Sequence, residues 1–129
     1  MSIPLPSIKV LFVDDEPALQ ALGEDLLVEE GYEVVCAAGA REALDLFAQH
    51  GQQVDLVVTD ESMPGMTGIE LAQQLFKLAP QLPIILCSGY LLTMAEEGIA
   101  ATNIKAVLAK TDIFFKLPAT IASLLAQDR

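Results

Sequence analysis

The chain has 129 residues, 53% of them hydrophobic, with 7 basic against 18 acidic side chains and a formal net charge of −11. That length holds one domain of ordinary size with a proper core, and the hydrophobic share excludes a disordered chain. The acidic balance repels nucleic acid and anionic membrane, leaving divalent cations or basic proteins as compatible partners.

The segment MSIPLPSIK (1–9) lacks the charged-then-apolar layout of a signal peptide, and no apolar run reaches membrane-spanning length. A cytosolic location without membrane insertion is therefore expected. The first strand is predicted over IKVLFV, 8–13. In PALQALGEDLLVEEGY the spacing predicts a helix with Leu19, Leu22, Leu26 and Leu27 on one buried stripe. Pro17 suits its first turn and Gly31 its stop. EVVCA (33–37) is the second strand, and AREALDLFAQHG a helix facing inward with Ala43, Leu44 and Phe47, closed by Gly51. VDLVV (54–58) is the third strand. It leads to GIELAQQLFKLAP, a helix burying Ile69, Leu71, Ala72, Leu75 and Phe76 and ended by Pro80. PIILC (83–87) is the fourth strand, and residues 91–101 form a poorer fourth helix with Gly98 and no clear caps. AVLA (106–109) is the fifth strand. For the last helix, which turns Ile121, Leu124 and Leu125 inward, two starts fit: Pro118 in its first turn, or Asp112 as an earlier cap with Pro118 as a kink.

Cys36 and Cys87 fall inside apolar runs and read as small buried hydrophobes rather than a disulfide. Several strands are apolar throughout, as in a parallel sheet covered on both faces. Five β–α units in sequence predict an open parallel α/β sheet with right-handed crossovers.

Chemistry gathers where the strands end. Asp14, Asp15 and Glu16 follow the first strand, Asp60 the third, Ser88 and Gly89 the fourth, and Lys110 the fifth. In an open α/β sheet, ligands bind beyond the carboxyl ends of the strands where strand order reverses. Carboxylates meeting there repel one another unless a cation neutralises them. Hard oxygen ligands with no nearby His or Cys suit Mg²⁺, a lysine adds a point charge for phosphate oxygens, and a serine hydroxyl adds a hydrogen bond. Singly, each feature has a plain structural explanation as a cap, a turn or a solvated charge. Jointly they form a phosphoryl-acceptor site.

From Ile8 onward the chain resembles the receiver domain of two-component response regulators. VLFVDDEP, DESMPGMTG, ILCSGY and VLAK match the four signatures of that family in order and spacing. The resemblance implies a flavodoxin-like fold with strand order 2-1-3-4-5, residues 1–129 forming one receiver domain behind a short tail, 1–7. It implies Asp60 as the phosphoacceptor, taking a phosphoryl group from a histidine kinase or histidine phosphotransfer protein in a bacterial cytoplasm. Asp15, Asp60 and the Ser62 carbonyl would hold Mg²⁺, with Asp14 acting through water, while Lys110 and Ser88 would bind the phosphoryl oxygens. A downstream protein would read the face made by the fourth helix, fifth strand and fifth helix. The role is that of an acceptor and not of a turnover enzyme. His50, the sole histidine, sits away from the site as a surface residue.

Two positions depart from the family pattern. The switch aromatic is replaced by Val107, and the proline after the lysine by Thr111. A cis bond before a non-proline costs about 2.5–4 kcal/mol, so a trans Lys110–Thr111 bond is expected, with Phe114 or Phe115 exposed for a partner. Ser62 and Tyr90 occupy the family's gating positions over the acyl phosphate; shielding by Tyr90 and simple packing on the fourth helix both fit. Met63, Met66 and Met94 read as packing residues. Two other functions compete. A degenerate docking receiver would stay unphosphorylated, and a Mg²⁺-dependent phosphohydrolase would need an acid where Ser62 stands.

Overall fold

The computed structural model describes residues 8–50, 53–89 and 98–127. Five strands form one sheet: β1 (Lys9–Val13), β2 (Glu33–Ala37), β3 (Leu56–Asp60), β4 (Ile84–Ser88) and β5 (Ile104–Ala109). Their order is β2-β1-β3-β4-β5 and every pairing is parallel. Four helices are described: α1 (Pro17–Glu29), α2 (Ala40–His50), α3 (Gly68–Leu78) and α4 (Ile113–Gln127). None is long and apolar enough to cross a membrane.

Alternation along the strands sorts side chains into two cores. Leu11, Val13, Val57, Ile84, Leu86 and Ile104 face α2 and α3, where Ala43, Leu71 and Leu75 meet them. Val10, Phe12, Leu56, Val58, Ile85, Cys87 and Leu108 face α1 and α4, against Leu27, Leu117 and Ile121. Every residue of β3 and β4 is buried, which explains the apolar runs 56–58 and 84–87 that lead to their polar ends. Between Ile84 and Ile85 the pairing with β5 slips: Ile84 matches Ile104 and Ile85 matches Ala106, so Lys105 is surplus.

Helix α1 begins with Pro17 and gives way to Gly31 at φ +96°, a conformation that suits glycine. Its predicted stripe is corrected at Leu22, which is exposed; Gly23 takes the inward position beneath the Phe12 ring. A Cβ on Gly23 would lie 2.5–2.9 Å from that ring, so the helix approaches β1 through the missing side chain. Phe76 is likewise more exposed than its spacing predicts, whereas Leu71, Ala72 and Leu75 are buried. Met63 is buried and Met66 packs against the same core.

The last helix takes the earlier of its two starts. The Asp112 carbonyl accepts the N–H groups of Phe115 (3.0 Å) and Lys116 (2.9 Å), and Pro118 falls inside the helix. Residues 98–103 form turns rather than helix, and 91–97, with Met94, lie outside the described residues, as does Gly51. β3 and β4 also run further than predicted, so Asp60 and Ser88 are the last residues of their strands.

Candidate functional site

β1, β3 and β5 deliver the charged groups. Asp14 continues the alternation of Val10 and Phe12, Asp60 that of Leu56 and Val58, and Lys110 that of Ala106 and Leu108. All three therefore rise from the sheet face that α1 and α4 cover. The main chain fixes them there: Asp14 N–H donates to the Ala37 carbonyl at 3.0 Å, and Lys110 N–H to the Ser88 carbonyl at 2.9 Å.

Carboxylate oxygens of Asp14, Asp15 and Asp60 all lie within 4.8 Å of one another. Asp14 and Asp60 are buried; Asp15 is exposed and forms the solvent side of the cluster. Asp14 Oδ1 accepts the Glu16 N–H at 2.9 Å, and the Asp14 carbonyl accepts Gln20 Nε2 at 2.6 Å. Burial pushes the Asp14 carboxyl above its ordinary range, and the charges of Asp60 and Asp15 add to it. Asp60 Oδ1 faces the Ser62 N–H at 3.4 Å. Its other oxygen, Oδ2, lies 2.9 Å from Lys110 Nζ, a charge contact off the alignment of a hydrogen bond, and has no aligned donor. Burial alone would lower the Lys110 ammonium, but contact with Asp60 and the charges of Asp14 and Glu16 outweigh it and raise it.

The donor set fits a small hard cation. It offers carboxylate oxygens without imidazole, and one buried oxygen still lacks an aligned donor. Ser88 is buried at the end of β4, beside this cluster in the sheet order. Cys87, also buried, has its thiol pushed up to about 12, first by burial and then by Asp60 and Asp14, so it adds bulk rather than a ligand.

The switch and gate positions divide. Val107 packs in the α2/α3-side core. Thr111 is exposed, and the Lys110–Thr111 bond is trans, as every described peptide bond is. Phe115 is 87% exposed, while Phe114 packs against the α1/α4-side core. Tyr90 lies outside the described residues. His50 sits at the end of α2 with Nδ1 3.4 Å from Lys9 Nζ, far along the sheet from the acids. A groove of about 800 Å³ lies at that same end, lined by Phe47, Val54, Leu78, Leu82 and Pro83 among others, and none of the clustered acids reaches it.

Two polar residues at the site have no role in the sequence-based expectations. Gln20 clamps the Asp14 carbonyl, and Glu61 binds the start of α3 through its side chain, Oε1 accepting the Ile69 N–H at 2.8 Å. The position of Glu61 directly after the acceptor strand was the one available hint.

The sequence matches the response regulator receiver domain over residues 10–118. Over 94 residues it is 40% identical to the sensor kinase CckA of Brucella abortus, a match covering 73% of this chain and 10% of that protein. It is 32% identical over 99 residues to the chemotaxis protein CheY of Thermotoga maritima, covering 76% of this chain and 78% of that one. The crystal structure of the response regulator protein TrrA of Thermotoga maritima in complex with Mg²⁺–BeF superposes with a TM-score of 0.81 at 32% identity. That superposition covers 91% of this chain and 98% of TrrA. The chain thus spans about a tenth of CckA's length.

Proposed function

The chain belongs to the family of response regulator receiver domains, and from that membership we propose that it is a signalling switch whose Asp60 accepts a phosphoryl group. One observation carries the assignment to Asp60: a buried carboxylate at a strand end, grouped with two further acids and faced by an ammonium at 2.9 Å. A buried ionised carboxylate is costly unless positive charge compensates it. In the transfer, an Asp60 oxygen forms a bond to phosphorus as the P–N bond of a phosphohistidine breaks, and the departing imidazole keeps the electron pair. Asp14, Asp15, Asp60 and the Ser62 carbonyl would hold Mg²⁺, which when bound supplies positive charge for the developing phosphoryl oxygens. Lys110 supplies the protein's own share of that charge, and Ser88 a hydroxyl for the transferred group.

The donor is a histidine kinase or a histidine phosphotransfer protein. The likeness to part of CckA supports a place within a larger sensor kinase, and the likeness to CheY a free-standing receiver. On either reading residues 1–129 are taken as one receiver unit working in the cytoplasm. Output runs through the face built on β5 and α4, where the exposed Phe115 ring supports a protein partner. With Val107 in place of an aromatic ring, the signal must travel by other side chains of that face.

Incubation with acetyl phosphate and Mg²⁺, followed by intact mass, tests the assignment. The expected product carries a single phosphate, absent without Mg²⁺ and absent in Asp60→Asn. Continuous phosphate release without an adduct would instead mark a phosphohydrolase. No adduct and no release would mark a docking receiver, the reading that Val107 and Thr111 favour.

A further inference from the structure

Glu61 belongs to neither the acid cluster nor the ammonium, yet three hydrogen bonds converge on it. Its N–H donates to the Cys87 carbonyl at 2.8 Å, extending the β3–β4 pairing by one residue. Its carbonyl accepts the Gly68 N–H at 3.1 Å, and its side-chain Oε1 accepts the Ile69 N–H at 2.8 Å. The loop 61–68 thus leaves the sheet and returns to the same residue.

Helix starts leave N–H groups without intrahelical partners. In α3 these are divided among three residues. Thr67 Oγ1 accepts the Glu70 N–H at 3.1 Å, and Glu70 Oε1 in turn accepts the Thr67 N–H at 3.0 Å. Glu61 takes the remaining two, at Gly68 and Ile69. Gly68 also packs directly on the Asp60 carbonyl, where a Cβ would collide, so the start of α3 and the acceptor's main chain are in contact. Between them runs Ser62, whose N–H faces Asp60 Oδ1.

We propose that Glu61 is a positioning residue for the divalent-cation site: by holding the Gly68 and Ile69 N–H groups, it fixes the loop that sets Ser62 beside Asp60. The inference rests on the receiver reading given above. Glu61 does not touch the cation; it acts through the loop, as outer-shell partners of metal ligands do. A carboxylate directly after Asp60 in the chain would ordinarily compete for the ion. Its engagement with α3 turns that oxygen to the helix instead, and the clustered carboxylates leave it out.

Mg²⁺ affinity by titration calorimetry, together with amide exchange at Ile69, tests this in wild type and three variants. In Glu61→Ala, affinity should fall about tenfold or more and the Ile69 amide should lose protection. Glu61→Gln keeps an acceptor oxygen and should retain both. Thr67→Ala removes the other cap and should cost stability while leaving Mg²⁺ affinity in place. If the alanine variant does not fold, Glu61→Met removes the same acceptor and keeps the bulk. Wild-type affinity in Glu61→Ala or Glu61→Met overturns the proposal alone. Equal losses in Thr67→Ala, or in Glu61→Gln, overturn it too, by assigning the effect to helix integrity or to charge. A wild-type chain that binds no Mg²⁺ overturns the receiver site itself.

Discussion

Asp14 carries its negative charge at a cost. It is 5% exposed, and burial, then the neighbouring Asp60 and Asp15, raise its carboxyl above the reference value of 3.8. The consequence for stability has a definite sign. Below the unfolded carboxylate range both states are protonated and nothing is lost. As pH climbs from 3.8 through the raised folded value, the unfolded chain gives up its proton first, so stability falls and stays lower at neutral pH. Asp14→Asn keeps the size and an acceptor for the Glu16 N–H but removes the charge. In metal-free buffer at neutral pH the variant should melt higher than wild type, each kcal/mol gained being worth about 4 °C in a domain of this size. The gain should vanish in acid. A variant that melts no higher at neutral pH, or whose advantage persists unchanged in acid, would show that the charge is compensated in some other way.

At the scale of elements, helix α1 shows how packing overrides propensity. Alanine is favoured over glycine inside a helix by about 1 kcal/mol. At Gly23, however, a methyl group would press into the Phe12 ring at 2.5–2.9 Å. Gly23→Ala should therefore destabilise the chain, by about 1–3 kcal/mol as overpacked cores do, read from urea denaturation. Combining it with Phe12→Leu should cost less than the two changes summed, because one makes room for the other. The same contact explains why the sequence misleads at Leu22. Spacing alone puts a leucine inward there, but the ring from β1 already fills that side, and only glycine fits beneath it. β1, β3 and β4 were legible because their apolar runs are buried on both faces, β2 and β5 as short apolar runs only half covered at the sheet edges, and the site because its acids, serine and lysine each follow such a run. Glu61 and Gln20 were not legible. Their partners are main-chain groups brought together by loop geometry, which leaves no mark on residue spacing. The start of α4 was legible only as one of two options, since Asp112 acts through its carbonyl, an atom every residue has.

For the molecule as a whole, charge is the dominant fact. A net −11 means that any cation relieves some self-repulsion, so a response to Mg²⁺ counts only against a sodium chloride control of equal ionic strength. A site that exists in the folded chain and not in the unfolded one adds about 2.7 kcal/mol at a hundredfold excess over the dissociation constant. Millimolar Mg²⁺ should therefore raise the wild-type melting temperature well beyond the salt control, and much less in Asp60→Asn. Equal shifts in both proteins would mean that the ion merely screens.

The surplus residue in β5 has its own consequence. A strictly alternating strand of this sequence would put Ile104, Leu108 and Lys110 on one side, since they are an even number of positions apart. With Lys105 left over, Ile104 can lie among the α2/α3-side chains while Leu108 and Lys110 turn the other way. The strand is thus spliced from two pieces half a repeat out of step, one serving the interior and one serving the ammonium. Excising Lys105 would join Ile104 directly to Ala106 in unbroken alternation, with the lysine still above the acids.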